Sequence, residues 1–280
     1  QKTAYEIRPR DWSSDVCSSD LQLLTALSGN YFGIKPDSGI LLGREAVELA
    51  LKSKRPKQEA EARIALAACL WGVGQHLQAI DEYRLILPIA EKNGDRRMQA
   101  RIQHGIAINY GAIDNKEKAI LHLKNSLALQ IQVGNDSGAM GCYHNLAHYN
   151  LELEQTDEAL HNYEQALYYA QKAHHQRGIP FTQLRLSEIH SSLKHVAVAI
   201  ELQQKAFDQF QQLRDTLGMA ESWAVRGQIN RFQKQYDEAA KCLRQAIQLQ
   251  RLVRGQYFQR QLGGYWMDLA IVYQDRKSTR

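Results

Sequence analysis

The chain has 280 residues, 44% hydrophobic and 23% charged, with a formal net charge of +5 at pH 7, too mild a balance to point to a nucleic-acid surface, which calls for a concentrated basic face. No run approaches 18 consecutive apolar residues, so the sequence offers no membrane-spanning helix. Its four cysteines are widely separated and lack CxxC spacing, which argues against a disulfide framework or a zinc site and fits a reducing compartment.

Residues 1–21 contain DWSSDVCSSDL, which has no apolar period and no counterpart later in the chain. This stretch resembles the conceptual translation of a short-read sequencing-library adapter. The last part of the same DNA, reverse-complemented and read in frame, gives DRKSTR, residues 275–280. Both ends are therefore set apart as adapter-derived and expected to be disordered or non-native. Residues 22–274 remain for reading, and a start Met, signal peptide, membrane anchor or output domain outside them is expected to be out of view. Setting Cys17 aside leaves Cys69, Cys142 and Cys242, read as small buried thiols.

From there the chain repeats. Residues 22–55 hold a partial first unit, in which Gly39, Ile40, Ala46 and Val47 match the later Ala159, Leu160, Ala166 and Leu167. Over 56–255 there are five units of 40 residues: Ala79, Ala119, Ala159, Ala199 and Ala239 recur in step, and twelve residues before each lies Ala67, Ala107, Ala147, Ser187 or Gly227. Each unit reads as two amphipathic helices, for example Tyr143, Leu146, Ala147 and Asn150 followed by Ala159, Leu160, Tyr163, Ala166, Leu167 and Ala170. Thr156 and Asp157 are candidate caps between them. Gly138, Gly178 and Gly218, beside Asp136 and Asp215, are read as the turns between units. Residues 256–274 supply one more first helix, with Ala270 as its small residue. Its Leu262 and Trp266 are expected to be exposed, an artefactual route to self-association. A small residue at a fixed place lets helices approach closely, and only stacked neighbours can bury the faces of each hairpin.

The segments YHNLAHYNLELEQTDEALHNYEQAL and WAVRGQINRFQKQYDEAAKCLRQAI resemble the tetratricopeptide repeat family, and the resemblance runs over essentially all of 37–274. It implies an all-α fold, a right-handed superhelical solenoid of stacked antiparallel helix hairpins. The period exceeds the family's usual 34, which suggests its long-repeat subgroup, with HEAT-type repeats the structural rival. Arg226 departs from a column otherwise filled by Leu66, Ile106, Leu146 and Leu186.

Chemistry is sparse. HNLAH places His144 and His148 at zincin spacing, but Asn145 stands where a catalytic Glu is needed and no third ligand is evident. GVGQ, residues 72–75, reads as a turn rather than a phosphate loop, and NDS, residues 135–137, as a helix start rather than a glycosylation acceptor. No nucleophilic triad or paired catalytic carboxylates stand out, so neither catalysis nor a metal or cofactor is expected.

The resemblance further implies that first helices line a concave face where peptides or protein segments bind. Counting the small column as position eight, positions 2, 5, 9 and 12 give Arg101, His104 and Ile108, then His144, His148 and Leu151. The next two units add Phe181, Leu184, Glu188 and Ser191, and Glu221, Gln228 and Arg231. This mixed lining lacks a repeated Lys/Asn carboxylate clamp. The function expected is a cytoplasmic, non-catalytic scaffold for a protein or peptide, with no direct nucleic-acid partner. The alternative is the sensory segment of a bacterial signalling protein whose output domain lies elsewhere: a diguanylate cyclase, histidine kinase or transcription activator.

Overall fold

A computed structural model describes residues 18–253 and 256–278. Most of the leader set apart above, 1–17, and the last two residues, 279–280, lie outside the described residues. Every described element is an α-helix, in the order α1 (Ser18–Tyr31), α2 (Pro36–Lys52), α3 (Pro56–Gly72), α4 (His76–Lys92), α5 (Arg96–Ala112), α6 (Lys116–Gln132), α7 (Asp136–Glu152), α8 (Thr156–Lys172), α9 (Gly178–Ser192), α10 (Val196–Gln212), α11 (Thr216–Phe232), α12 (Tyr236–Arg251) and α13 (Gln256–Ser278). None of them is long and apolar enough to cross a membrane. They fall into two compact units, Gln1–Gly134 with α1 to α6 and Asn135–Arg280 with α7 to α13. In each unit consecutive helices pack as antiparallel hairpins. The odd-numbered first helices also touch one another, α1 with α3 and α3 with α5 in the first unit, α9 with α11 and α11 with α13 in the second.

The 40-residue period is twice a 20-residue one, a helix of 17 residues and a connector of three. The middle residue of such connectors turns left-handed: Lys54, Gly74, Gly94 and Asp114 in the first unit, and Glu154, Lys194, Arg214 and Lys234 in the second. This lets the freed carbonyls at the helix end be satisfied. After α7, the Gln155 N–H donates to the Asn150 carbonyl at 2.8 Å and the Glu154 N–H to that of Leu151 at 3.0 Å, the two bonds of a Schellman ending.

Helix starts differ from the sequence expectation in one respect. Thr156 and Asp157 already lie in the first turn of α8, and the residue before them, Gln155, makes no side-chain cap. Side-chain caps sit instead before α5, α6, α7 and α11. Asn135 Oδ1 accepts from the Gly138 N–H at 3.1 Å, and Asp215 Oδ1 from that of Gly218 at 3.0 Å. Asp136 is inside α7. The periodic glycines are thus first-turn residues that receive the cap, not turns. At Gly218 there is a second reason for glycine: a Cβ would collide with the ring of Phe210, which is wholly buried.

The core follows the small columns. Ala79, Ala119, Ala159, Ala199 and Ala239 are fully buried, as are Ala67, Ala107, Ala147 and Ser187. The Ser187 hydroxyl donates to the Ala199 carbonyl at 2.7 Å, so even the polar member of the column ties a first helix to its second. At Gly227 a Cβ would come within 2.9 Å of Leu243 and 3.3 Å of the Ala239 carbonyl, which shows how tightly α11 and α12 approach. Around these crossings large side chains fill the gaps. Tyr163, Leu186 and Ile189 close over Ala147 and Ala159 in one cluster, and Leu184, Phe210, Val225 and Ile229 over Ala199 in the next. Full burial of each large apolar side chain contributes about 1.5–3 kcal/mol.

Arg226 sits in the equivalent of that closing layer. The Leu186–Tyr163 position of the α8/α9 junction becomes Arg226–Gln203 between α10 and α11, where Arg226 Nη1 donates to Gln203 Oε1 at 3.4 Å and Gln203 Nε2 to the Ser222 carbonyl at 3.1 Å. Two departures from the apolar pattern therefore meet each other.

At α13, Tyr265, Leu269 and Val272 are buried against α12, with Leu262 partly buried beside them. Trp266 is 46% exposed. Leu262 is thus more covered than expected, and Trp266 is open as expected. Ala270, read as this helix's small residue, is exposed because no second helix packs on that side among the described residues.

Candidate functional site

In the first unit, α5 presents Arg101, His104 and Ile108 along one face. Arg101 Nη1 reaches both Glu61 carboxylate oxygens, at 3.0 and 3.1 Å, from α5 to α3. Both side chains are well exposed, so the pair contributes at most about 1 kcal/mol. His104 lies deeper, and burial holds its pKa below the ordinary value. Ile108 is half-buried. A cavity of about 450 Å³ lies between α1 and α3, lined by Leu21, Gln22 and Thr25 on one side and Lys57 and Glu61 on the other. Its Leu21 belongs to the leader that resembles adapter.

The second unit draws more of the expected residues together. His144 projects from α7 edge-on to Tyr163, with ring centroids 5.2 Å apart, and lies 6.1 Å from Phe181. Burial, then the nearby charges of Arg185 and His148, push its pKa down to about 4, and its Nε2 is buried without a hydrogen-bond partner. Burial likewise pushes the Tyr163 hydroxyl up to about 12, against the pull of Arg185. His144 is therefore a neutral aromatic element of the wall.

Arg185 is the centre of this wall. Its guanidinium lies 5.5 Å over the Phe181 ring and bridges two carboxylates, with Nη1 donating to Glu188 Oε2 at 2.6 Å and Nη2 to Glu221 Oε1. Burial raises the Glu188 carboxyl, and Arg185 opposes that rise. From α11, Gln228 Nε2 donates to Asp268 Oδ2 of α13 at 3.4 Å. Arg185, Glu188, Glu221, Gln228, Tyr265 and Asp268 line an open cavity of about 240 Å³ between α9, α11 and α13, with Ala224 and Val225 at its apolar side.

Of the predicted residues, Phe181, Glu188, Glu221 and Gln228 thus converge around Arg185, with His144 behind Phe181. Leu184 and Ser191 do not belong to the lining. Leu184 is fully buried in the core with Phe210 and Val225, and Ser191 is 4% exposed, its hydroxyl buried without a partner. Position 5 lies at the base of the helix contact, so an apolar side chain there turns into the core. His148 and Leu151 lie at the exposed margin of α7, His148 within 3.5 Å of Glu152. Arg231 pairs at 3.7 Å with Asp275, which lies in the segment set apart at the chain's end. Sequence reasoning passed over Arg185, Tyr265 and Asp268. Two signals point to them: Arg185 precedes Glu188 by three residues, the spacing of an ion pair along a helix, and Asp268 follows Gln228 by one 40-residue period. Among the described residues no group of three or more His, Cys, Asp or Glu is placed to hold a metal ion.

The chain belongs to the tetratricopeptide repeat family, whose profiles match residues 58–132 and 178–251, and also 141–172. That membership makes it a protein-interaction scaffold in class, and it sets the HEAT-type rival aside. No curated protein matches the sequence. Solved structures share the fold. BtubC (BKLC) from P. vanneervenii is 18% identical with a TM-score of 0.64, over 83% of this chain and 91% of its own. A Rap protein complexed with Competence and Sporulation Factor is 14% identical with a TM-score of 0.65, over 93% and 77%. The apo form of the quorum sensor NprR from B. thuringiensis is 16% identical with a TM-score of 0.65, over 90% and 71%.

Proposed function

We propose that the chain is a non-catalytic scaffold that binds a peptide or protein segment against its first helices, with the Arg185 cavity of the second unit as its main pocket. The observation that carries this reading is the 240 Å³ cavity, where Glu188, Glu221 and Gln228, all anticipated as partner-facing, meet beside the Arg185 guanidinium, which Phe181 supports from below. A few anchors in a pocket with mixed apolar and polar walls are what segment recognition needs. The reading places the protein in the cytoplasm, and Cys69, Cys142 and Cys242, all buried and outside any disulfide among the described residues, support a reducing compartment.

Random dodecapeptide display on the full chain tests the reading, followed by photo-crosslinking of enriched peptides from a probe at Gln228 and from one at Leu121, an exposed residue of a second helix. Enrichment with crosslinks from Gln228 and none from Leu121 is the expected result. No enrichment, or equal crosslinking from both positions, overturns it.

A second reading makes the chain the sensory segment of a larger signalling protein. It is favoured by the likeness to a protein described as a quorum sensor and to a Rap protein complexed with a sporulation factor. An output domain encoded downstream in the intact gene would establish that reading, and a polar capping helix followed by a stop codon would exclude it.

A further inference from the structure

We propose that the cavity between α9, α11 and α13 is a subsite for one cationic group, the guanidinium or ammonium of a basic side chain on the bound segment. The inference rests on the binding reading above and names the chemistry of its anchor.

Charge is the first ground. Three carboxylates, Glu188, Glu221 and Asp268, face the cavity against the single cation of Arg185. Arg185 is spent on two of them, since its two Nη groups go to Glu188 and Glu221. Asp268 receives only the Gln228 amide, at 3.4 Å, and pairs with no cation among the described residues. An anionic ligand would meet three like charges and find the remaining Arg185 donor, Nε, buried out of reach. A cation meets an uncompensated carboxylate in a partly desolvated place, where charge-assisted hydrogen bonds are strongest.

The second ground is Tyr265. This side chain is only 9% exposed, yet it lines the cavity, and its hydroxyl has no hydrogen bond among the described residues. It shares the cavity wall with Arg185, Asp268 and Glu188, and burial, then these charges, bear on its hydroxyl. The ring is buried while the hydroxyl stays open to the cavity, and its oxygen can accept from an N–H donor on a ligand. Next to these groups Ala224 and Val225 give an apolar strip that suits the methylene stem of a lysine or arginine.

The test uses n-butylguanidinium and n-butylammonium as probes, titrated into the full chain with ring-labelled tyrosine and followed by NMR, the Tyr265 signal being assigned with Tyr265→Phe. A saturable shift of that signal is expected with both cations, with n-butanol and sodium chloride at the same concentrations giving none. Asp268→Asn, which leaves the Arg185 bridge intact, should weaken binding about tenfold or more. Glu221→Gln should weaken it too, with helicity checked by circular dichroism for both variants. No saturable shift, an equal shift with n-butanol, or undiminished binding in a folded Asp268→Asn overturns the subsite. The dodecapeptide display separates the two failures. Enriched peptides without a shared Lys or Arg overturn the cation subsite and leave the scaffold standing. Binding of n-butylguanidinium with no peptide enrichment overturns the scaffold and leaves the subsite chemistry standing.

Discussion

The α8/α9 and α10/α11 junctions occupy the same place in successive repeats and are built from opposite chemistry. At the first, Tyr163 and Leu186 close an apolar layer and are 1% and 4% exposed. At the second, Gln203 and Arg226 fill the same two positions with an amide and a guanidinium, and the helices still pack, over Leu184, Phe210, Val225 and Ile229. What the repeat requires at this layer is volume and mutual satisfaction, not hydrophobicity as such. A lone polar residue there would strand a buried donor or acceptor, whereas two that bond each other and the Ser222 carbonyl remove most of that cost.

The largest expected effect is on the apolar side. Tyr163→Ala empties the space between α8 and α9, where Tyr163 also supports His144, and should cost about 3–5 kcal/mol in a urea unfolding experiment. Gln203→Ala should cost clearly less. Equal losses would erase the contrast between the two junctions.

Acidification probes the same side next, because His144 is packed against Tyr163. Unfolded, the imidazole takes up its proton near 6.5, and folded only near 4. Its contribution to stability is therefore whole above pH 6.5 and is lost as pH falls from there toward about 4. A shift of that size corresponds to roughly 3 kcal/mol of stability lost across the window. His144→Phe should flatten this slope in unfolding curves collected from pH 7 to pH 4, leaving the shallower contributions of His104, His122 and His190. An unchanged slope would show that His144 is hydrated and charged in the folded protein.

On the polar side, Arg226→Leu leaves Gln203 Oε1 without its donor and should destabilise by about 1–3 kcal/mol. Adding Gln203→Tyr rebuilds the layer of the α8/α9 junction and should recover most of that loss, so the two changes are strongly non-additive. Additive effects in the double-mutant cycle would mean that the two residues do not share an environment.

These contrasts also show why the sequence reveals some parts of the molecule and not others. Ala119, Ala159 and Ala199 are legible because one local demand, close approach of helices, recurs in register and leaves a periodic mark. Leu184 misleads because a face assigned by counting does not say how deep each position lies, and position 5 lies at the helix contact. Thr156 misleads because capping propensity ranks residue types, while the connector length decides which residue stands before the first turn. Arg185, Tyr265 and Asp268 come from helices up to 83 residues apart in sequence, and their meeting depends on how α9, α11 and α13 stack. A plain 40-residue step joins Gln228 to Asp268, whereas taking Ala270 as the small residue of α13 hides that match, and neither count shows the open space beside them.

The smallest effect comes from the three-residue connectors within the repeats, which serve as a control that leaves the packed layers of both junctions untouched. Lys234, between α11 and α12, adopts φ +61°, a conformation that costs a side-chain-bearing residue about 1–2 kcal/mol and that glycine adopts freely. Glycine also gives the unfolded chain more freedom, which takes back about 0.4–1 kcal/mol. Lys234→Gly should therefore stabilise by roughly 0.5–1 kcal/mol, seen as a higher urea midpoint with an unchanged slope. Gly74, at φ +80° in the equivalent place, should show the reverse on replacement by Ala. If both substitutions lowered the midpoint, the left-handed connector would not be what sets the 20-residue step.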